Sequence, residues 1–374
     1  MTPTNKRKLV IATDNFLPRW DGIARFLAEI IPRLNDYDIT IISPDYGPSP
    51  FDETITRIRV PLQRTSIGDY TSARWRPGLI KPAIREADIV FTQTIGPIGL
   101  LASIYARRYK KKHAAFIHSI EWELVPKAIA FPLLKKFAYP LTKWLARFVY
   151  NRAGLLIVPS SNIGDHLTWQ RITTKKTVAH LGVDTKRFTK GDRARAREQL
   201  KLPKDALIVG YHGRLGNEKN LITLARAYLR LKARSKRLLI VGDGLASLRK
   251  QLGAVRGALI VGAQDDVVPW LQAMDIYVLP SFTETTSLAV LEAMSCELPV
   301  VSSPVGFIQQ YIKHGENGFF YETKNSYELA RRLQELADNP ELRRRIGSKA
   351  RATVQRNFDW DVSAQRIMEA LNSL

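Results

Sequence analysis

Short apolar, β-branched runs recur along the whole chain, and many are followed by longer stretches with helical spacing of apolar residues. The runs of the first half are Leu9–Thr13, Ile39–Ser43, Ile89–Thr92, Ala115–His118 and Leu155–Pro159. Those of the second half are Leu207–Tyr211, Leu238–Val241, Leu259–Val261, Ile276–Leu279 and Val300–Ser302. Several are apolar throughout, as strands are when both faces are covered. Strands alternating with helices predict βαβ units built on parallel sheets. The pattern occurs twice, with a polar, basic seam at Leu181–Lys190. Two Rossmann-like α/β domains are therefore expected, residues 1–184 and 185–359. A last helix, about 360–374, is assigned to the first domain. In doubly wound sheets ligands bind at the carboxyl ends of the strands, so chemistry is sought in the strand-to-helix loops.

Composition narrows the class. The 374 residues suit two ordinary domains, and 45% apolar with 25% charged residues fits a globular chain. The longest uncharged stretch, Ile89 to Ala106, contains Gly and Pro and reads as strand, turn and helix rather than a membrane span. The first apolar run stops at Asp14, too short for a signal peptide. One cysteine, Cys296, excludes an internal disulfide and a cysteine-cluster metal site. A cytoplasmic location is expected. The net charge of +22 implies attraction to something anionic: nucleic acid, a membrane surface or phosphorylated substrates.

Four loops carry candidate chemistry. The loop from Thr13 to Arg25 follows the first strand and opens a helix at Gly22, where backbone N–H groups favour an anion. The loop Gly210-Tyr211-His212-Gly213-Arg214-Leu215-Gly216-Asn217-Glu218-Lys219 opens the second domain and projects two cations, Arg214 and Lys219. Such cations suit a diphosphate leaving group, on which charge grows as its bond breaks. After the run Ile276–Leu279 come Glu284, then Thr286, Ser287 and Leu288 at a helix start, then Glu292 between Leu291 and Ala293. A carboxylate among apolar neighbours needs hydrogen-bond donors, which sugar hydroxyls supply. His118 closes a strand of the first domain, where a histidine is a candidate site residue. Val241-Gly242-Asp243-Gly244 reads as a tight turn, since no third glycine completes a dinucleotide fingerprint.

In this order the loops resemble glycosyltransferase family 4, retaining enzymes of the GT-B fold, with two Rossmann-like domains facing across a cleft. Glu284 to Glu292 resembles the family's Glu-x7-Glu motif. Gly213-Arg214 with Glu218-Lys219 resembles its Gly-Arg-Leu…Glu-Lys element, and Gly182-Val183-Asp184 with Phe188 its interdomain signature. The resemblance implies that Arg214 and Lys219 hold the donor's diphosphate and that Gly22 presents backbone to it. It implies that Glu284 contacts the hexose, Glu292 the ribose, and Thr286, Ser287 and Leu288 offer N–H groups. His118 would touch the sugar, and the base would lie near Val261-Gly262-Ala263. Catalysis, by His118 and Glu284 with the leaving phosphate as base, would need no metal or cofactor beyond a UDP- or GDP-sugar. The chain departs from the family with Thr285-Thr286-Ser287 where Gly-Phe-Gly is usual, which touches donor identity. It also has Glu297 where Gly is common, costing roughly 1 kcal/mol if the backbone there is left-handed.

The acceptor is read from the first domain, where Asp14 to Gly22 resembles members acting on lipids. Between Lys127 and Arg152, basic and aromatic residues interleave. Lys136, Lys143 and Arg147 share one helical stripe, and Phe137, Trp144 and Phe148 the adjacent one. A basic, aromatic helix can rest on an anionic bilayer. The reading is therefore a hexosyltransferase using a lipid or lipid-linked glycan acceptor, peripheral to the cytoplasmic membrane face. Its alternatives are the same chemistry on a soluble sugar or sugar phosphate, and a basic nucleic-acid-binding protein. No RNA-recognition signature is found, and nucleic acid would not explain the paired carboxylates.

Overall fold

The computed structural model describes residues 6–19, 21–65, 71–123, 132–284 and 286–374. The chain divides into two compact units, Met1–His180 with Ser363–Leu374, and Leu181–Val362.

The first unit is a seven-stranded parallel sheet, β1 Arg7–Ala12, β2 Tyr37–Pro44, β3 Thr56–Val60, β4 Ile89–Thr92, β5 Lys112–Phe116, β6 Leu155–Val158 and β7 Lys176–Val178. Its order is β3-β2-β1-β4-β5-β6-β7. The interior strands β4 and β6 are buried along their whole length, as their apolar sequences, interrupted only by Thr92, require. The helix Gly22–Ile30 turns Ala24, Phe26, Leu27 and Ile30 onto the sheet. Asp14, just past β1, is buried and accepts from the Thr94 hydroxyl (2.5 Å) and the Ile98 and Gly99 amides (2.9 and 3.2 Å). Burial raises its carboxyl above the usual range against these hydrogen bonds. The carboxylate thus fills the start of the helix Pro97–Arg108 and ties the loop after β1 to the loop after β4.

The second unit is a six-stranded parallel sheet, β8 Leu207–His212, β9 Lys236–Val241, β10 Ala258–Ile260, β11 Ile276–Leu279, β12 Val300–Ser302 and β13 Phe319–Phe320. Its order is β10-β9-β8-β11-β12-β13. In both sheets the chain reverses direction of growth beside the first strand, between β1 and β4 and between β8 and β11. That reversal opens a crevice at the carboxyl ends of those strands.

All ten apolar runs lie in or overlap observed strands. Three strands were not anticipated: β3, β7 and β13. All are edge strands whose charged or few residues make no apolar run. Around His118 the strand starts and stops earlier than expected, at Lys112 and Phe116. The stretch Ile89–Ala106 is strand β4 and most of the helix Pro97–Arg108, as read. Glu297 follows the helix Leu288–Ser295 with φ of 61°, the left-handed conformation its family position suggested. The final helix is Trp360–Asn372, and Asn372 accepts from Tyr37 (2.8 Å) and Arg7 (3.0 Å) of the first sheet.

Candidate functional site

The second unit gathers its candidates at the carboxyl ends of β8 and β11, which are neighbours in the sheet. After His212 the chain turns at Gly213 (φ 135°), passes Arg214, and makes a short 3-10 turn at Asn217–Lys219 before the helix Leu221–Arg230. The loop is braced from β9. A Cβ on Gly242 would lie 2.0 Å from the Gly213 carbonyl oxygen, and one on Gly244 would lie 2.4 Å from that of Leu215. The Gly-Asp-Gly turn after β9 is therefore a support for the β8 loop, with glycines where two backbones touch.

The β8 and β11 loops are stitched together. The Phe282 amide donates to the Glu218 carbonyl (2.8 Å), and Asn220 donates to that of Pro280 (3.1 Å). Lys219 Nζ donates to Glu284 Oε1 at 2.6 Å, and the Ser281 hydroxyl donates to the same oxygen at 2.7 Å. Arg214 is largely exposed and pairs with Glu218 at 2.7 Å. Ser287 caps the helix Leu288–Ser295, its hydroxyl accepting from the Val290 amide at 3.4 Å. Thr286 is buried at that helix start, and among the described residues its Oγ1 has no hydrogen-bond partner. Leu288 is the first helical residue and half-buried. Glu292 is buried, and His212 Nε2 lies 2.6 Å from its Oε2. Arg214, Lys219, Glu284, Thr286, Ser287, Leu288 and Glu292 thus share one corner of one unit. Two cations, the carboxylates of Glu218, Glu284 and Glu292, and a helix N-terminus meet there, a set suited to a ligand carrying both anionic and hydroxyl groups.

Gly22 and His118 belong to the first unit. Gly22 begins its helix exposed, and nothing among the described residues lies within 4 Å of where its Cβ would be. Asp21 caps the helix by accepting from the Ile23 and Ala24 amides (3.0 and 2.9 Å). Those two N–H groups are therefore engaged by the protein's own carboxylate. His118 stands two residues past β5, its Nε2 3.0 Å from the Gln93 side-chain oxygen and its ring against Phe26 and Phe116. Burial pushes its pKa down to about 3, so the ring is neutral at physiological pH.

Two family models match the chain: Glycosyltransferase Family 4 over residues 20–187, and Glycosyl transferases group 1 over residues 192–353. The chain belongs to the family 4 glycosyltransferases. A D-inositol 3-phosphate glycosyltransferase of Streptomyces scabiei is 34% identical over 52% of this chain and 48% of its own length. The chain spans about half the length of the curated D-inositol 3-phosphate glycosyltransferases it matches. A GDP-mannose-dependent monoacylated alpha-(1-6)-phosphatidylinositol monomannoside mannosyltransferase of Corynebacterium glutamicum is 24% identical over 98% of both chains. The crystal structure of Anabaena HepE in complex with UDP superposes with a TM-score of 0.79 at 21% identity, covering 98% of this chain and 100% of the other. That likeness shows the fold, the paired Rossmann-like domains of the GT-B class.

On the first unit, the helix Pro132–Tyr150 carries the expected basic and aromatic residues. Lys136 lies in it, but its side chain is outside the described residues. Ala146, Val149 and Tyr150 are buried, whereas Phe137, Leu141 and Trp144 are 66%, 64% and 60% exposed. Lys143 lies over the Tyr139 ring, Trp144 stacks on Phe148, and Arg147 donates to the Gln170 carbonyl at 2.7 Å. The exposed apolar residues fall at helical spacing on one face. Among the described residues no helix is long and apolar enough to cross a membrane.

Sequence reasoning passed over His212 and Asp21. The expectation that ligand hydroxyls supply the donors for Glu292 is incomplete, because His212 already supplies one. The available signal was a histidine ending the otherwise apolar run Leu-Ile-Val-Gly-Tyr. Asp21 stood three residues before Ala24, the spacing of an N-cap.

Proposed function

We propose that this enzyme transfers a hexose from a nucleoside-diphosphate sugar, with retention, to a lipid or lipid-linked glycan at a membrane surface. The observation that carries the donor half is the Lys219–Glu284 contact beside Glu292 and the helix start at Ser287, at the switch point of the second sheet. Lys219 and Arg214 would take the diphosphate, drawing Lys219 toward phosphate oxygens and leaving Glu284 to accept from hexose hydroxyls. Glu292 would accept from the ribose. Cations fixed in place before reaction stabilise the charge that grows on the leaving group. The bond from the anomeric carbon to the phosphate oxygen breaks, the acceptor oxygen bonds on the same face, and its proton passes to the departing phosphate. His118, being neutral, would contribute as a hydrogen-bonding ring rather than an acid.

The acceptor half rests on the exposed face Phe137, Leu141 and Trp144 with Lys143 and Arg147 alongside, and on likeness along nearly the whole chain to a mannosyltransferase named for a phosphatidylinositol substrate. A second reading, a soluble sugar phosphate as acceptor, is favoured by the likeness to D-inositol 3-phosphate glycosyltransferases.

A thermal-shift panel of UDP-, GDP- and ADP-sugars, each with and without chelator, tests the donor half. One base should raise Tm above the others, with the shift unchanged by chelator. No shift with any of them would refute the donor site, and loss of the shift on chelation would refute metal independence.

A further inference from the structure

Strand β8 is apolar until its last residue, His212, which is 5% exposed, and the partner it meets, Glu292, is 1% exposed. A carboxylate has no hydrogen to give, so at 2.6 Å the imidazole Nε2 carries the proton and donates it to Oε2. The imidazole is itself held in place. The Tyr277 ring stands edge-on to it with centroids 5.4 Å apart, and the Tyr277 hydroxyl donates to the His212 carbonyl at 3.2 Å. Strand β11 brings Tyr277 there by pairing with Gly210 of β8. Support therefore runs from β11 through the end of β8 to the helix Leu288–Ser295.

We propose that His212 is a positioning residue, which through Glu292 sets the enzyme's grip on the ribose hydroxyls of the donor nucleotide. The inference rests on the donor-site reading above. A buried carboxylate is strongly disfavoured in its charged form unless donors meet it, and His212 supplies one to Glu292. With His212 removed, Oε2 loses the donor that fixes its direction, and the carboxylate becomes a less ordered and weaker acceptor for a ligand hydroxyl. Preorganisation of this kind lowers the ordering cost of binding.

The test is calorimetric titration of the full chain with ADP, GDP and UDP and with their 2′,3′-dideoxy counterparts. The variants are Glu292→Ala, His212→Ala, His212→Gln and His212→Asn. The readout is the dideoxy-to-ribo ratio of Kd for the base that binds most tightly. Hydrogen bonds to a charged group make a wild-type ratio of about tenfold or more the expectation. Glu292→Ala and His212→Ala should both bring the ratio close to unity. His212→Gln, whose amide can reach Oε2, should recover most of it, and the shorter Asn should not.

If Glu292→Ala keeps the wild-type ratio, the assignment of Glu292 to the ribose fails and the inference with it. If Glu292→Ala abolishes the ratio but His212→Ala keeps it, the donor site stands and the role of His212 is overturned. The role is equally overturned if His212→Ala weakens ribo and dideoxy binding alike. Should His212→Ala fail to fold, equal ratios in the Gln and Asn variants would overturn it.

Discussion

Lys219 and Glu284 neutralise each other across 2.6 Å, with Ser281 on the same carboxylate oxygen. Lys219→Ala removes the ammonium meant for the diphosphate and leaves Glu284 to repel it. Turnover should fall at least about tenfold, about 1.4 kcal/mol of transition-state stabilisation, in a steady-state assay, with the thermal unfolding curve retained. Two histidines give a prediction of a different kind. Burial holds His113 at about 4 and His118 at about 3, against about 6.5 in an unfolded chain. Above pH 6.5 neither state binds these protons, and their contribution to stability is full. Below it the unfolded chain protonates first, so stability is lost as pH falls toward 4. His113→Gln should therefore show a smaller drop in Tm between pH 7 and pH 5 than wild type; an equal drop would contradict the shift. At this scale the sequence exposed which loops matter but not who partners whom. Spacing placed Glu284 and Glu292 on one strand–loop–helix unit. The pairing of Glu292 with His212, eighty positions away, is set by sheet order, which no local pattern encodes.

Elements were legible in proportion to their burial. Interior strands announce themselves by runs of buried apolar residues, Ile89 to Phe91 in β4 and all four of β6. Edge strands β3 and β7 have no such constraint, because one side meets solvent, and they were missed. Helix packing also carries consequences that propensity inverts. The helix Pro340–Asn357 passes so close to the end of Leu288–Ser295 that a Cβ at Gly347 would lie 2.0 Å from the Glu297 carbonyl oxygen. On an exposed helix Gly→Ala gains about 1 kcal/mol. Here Gly347→Ala should lose about 1–3 kcal/mol in urea denaturation, because backbone must shift to admit the methyl. The helix Pro132–Tyr150 makes the acceptor proposal testable in the same way. Replacing Phe137, Leu141 and Trp144 by Ser should reduce co-flotation with anionic vesicles while leaving nucleotide affinity unchanged. Unaltered flotation would remove this face from the proposal.

For the molecule as a whole, the doubling of the strand–helix pattern was readable because each sheet repeats the same buried-strand signature. The division itself falls at His180–Leu181. The net charge of +22 acts at this scale and has no single location in the sequence. Charge-driven vesicle binding should weaken steeply between low and physiological salt, since the screening length falls to about 8 Å at 0.15 M. The central claim is narrower: the corner formed by the β8 and β11 loops grips a nucleoside diphosphate. Titrating UDP, GDP and ADP into wild type and Lys219→Ala tests it most directly. One nucleotide should bind wild type, and its Kd should rise at least about tenfold in the variant. Binding of equal strength in both proteins, or none in wild type, would contradict it.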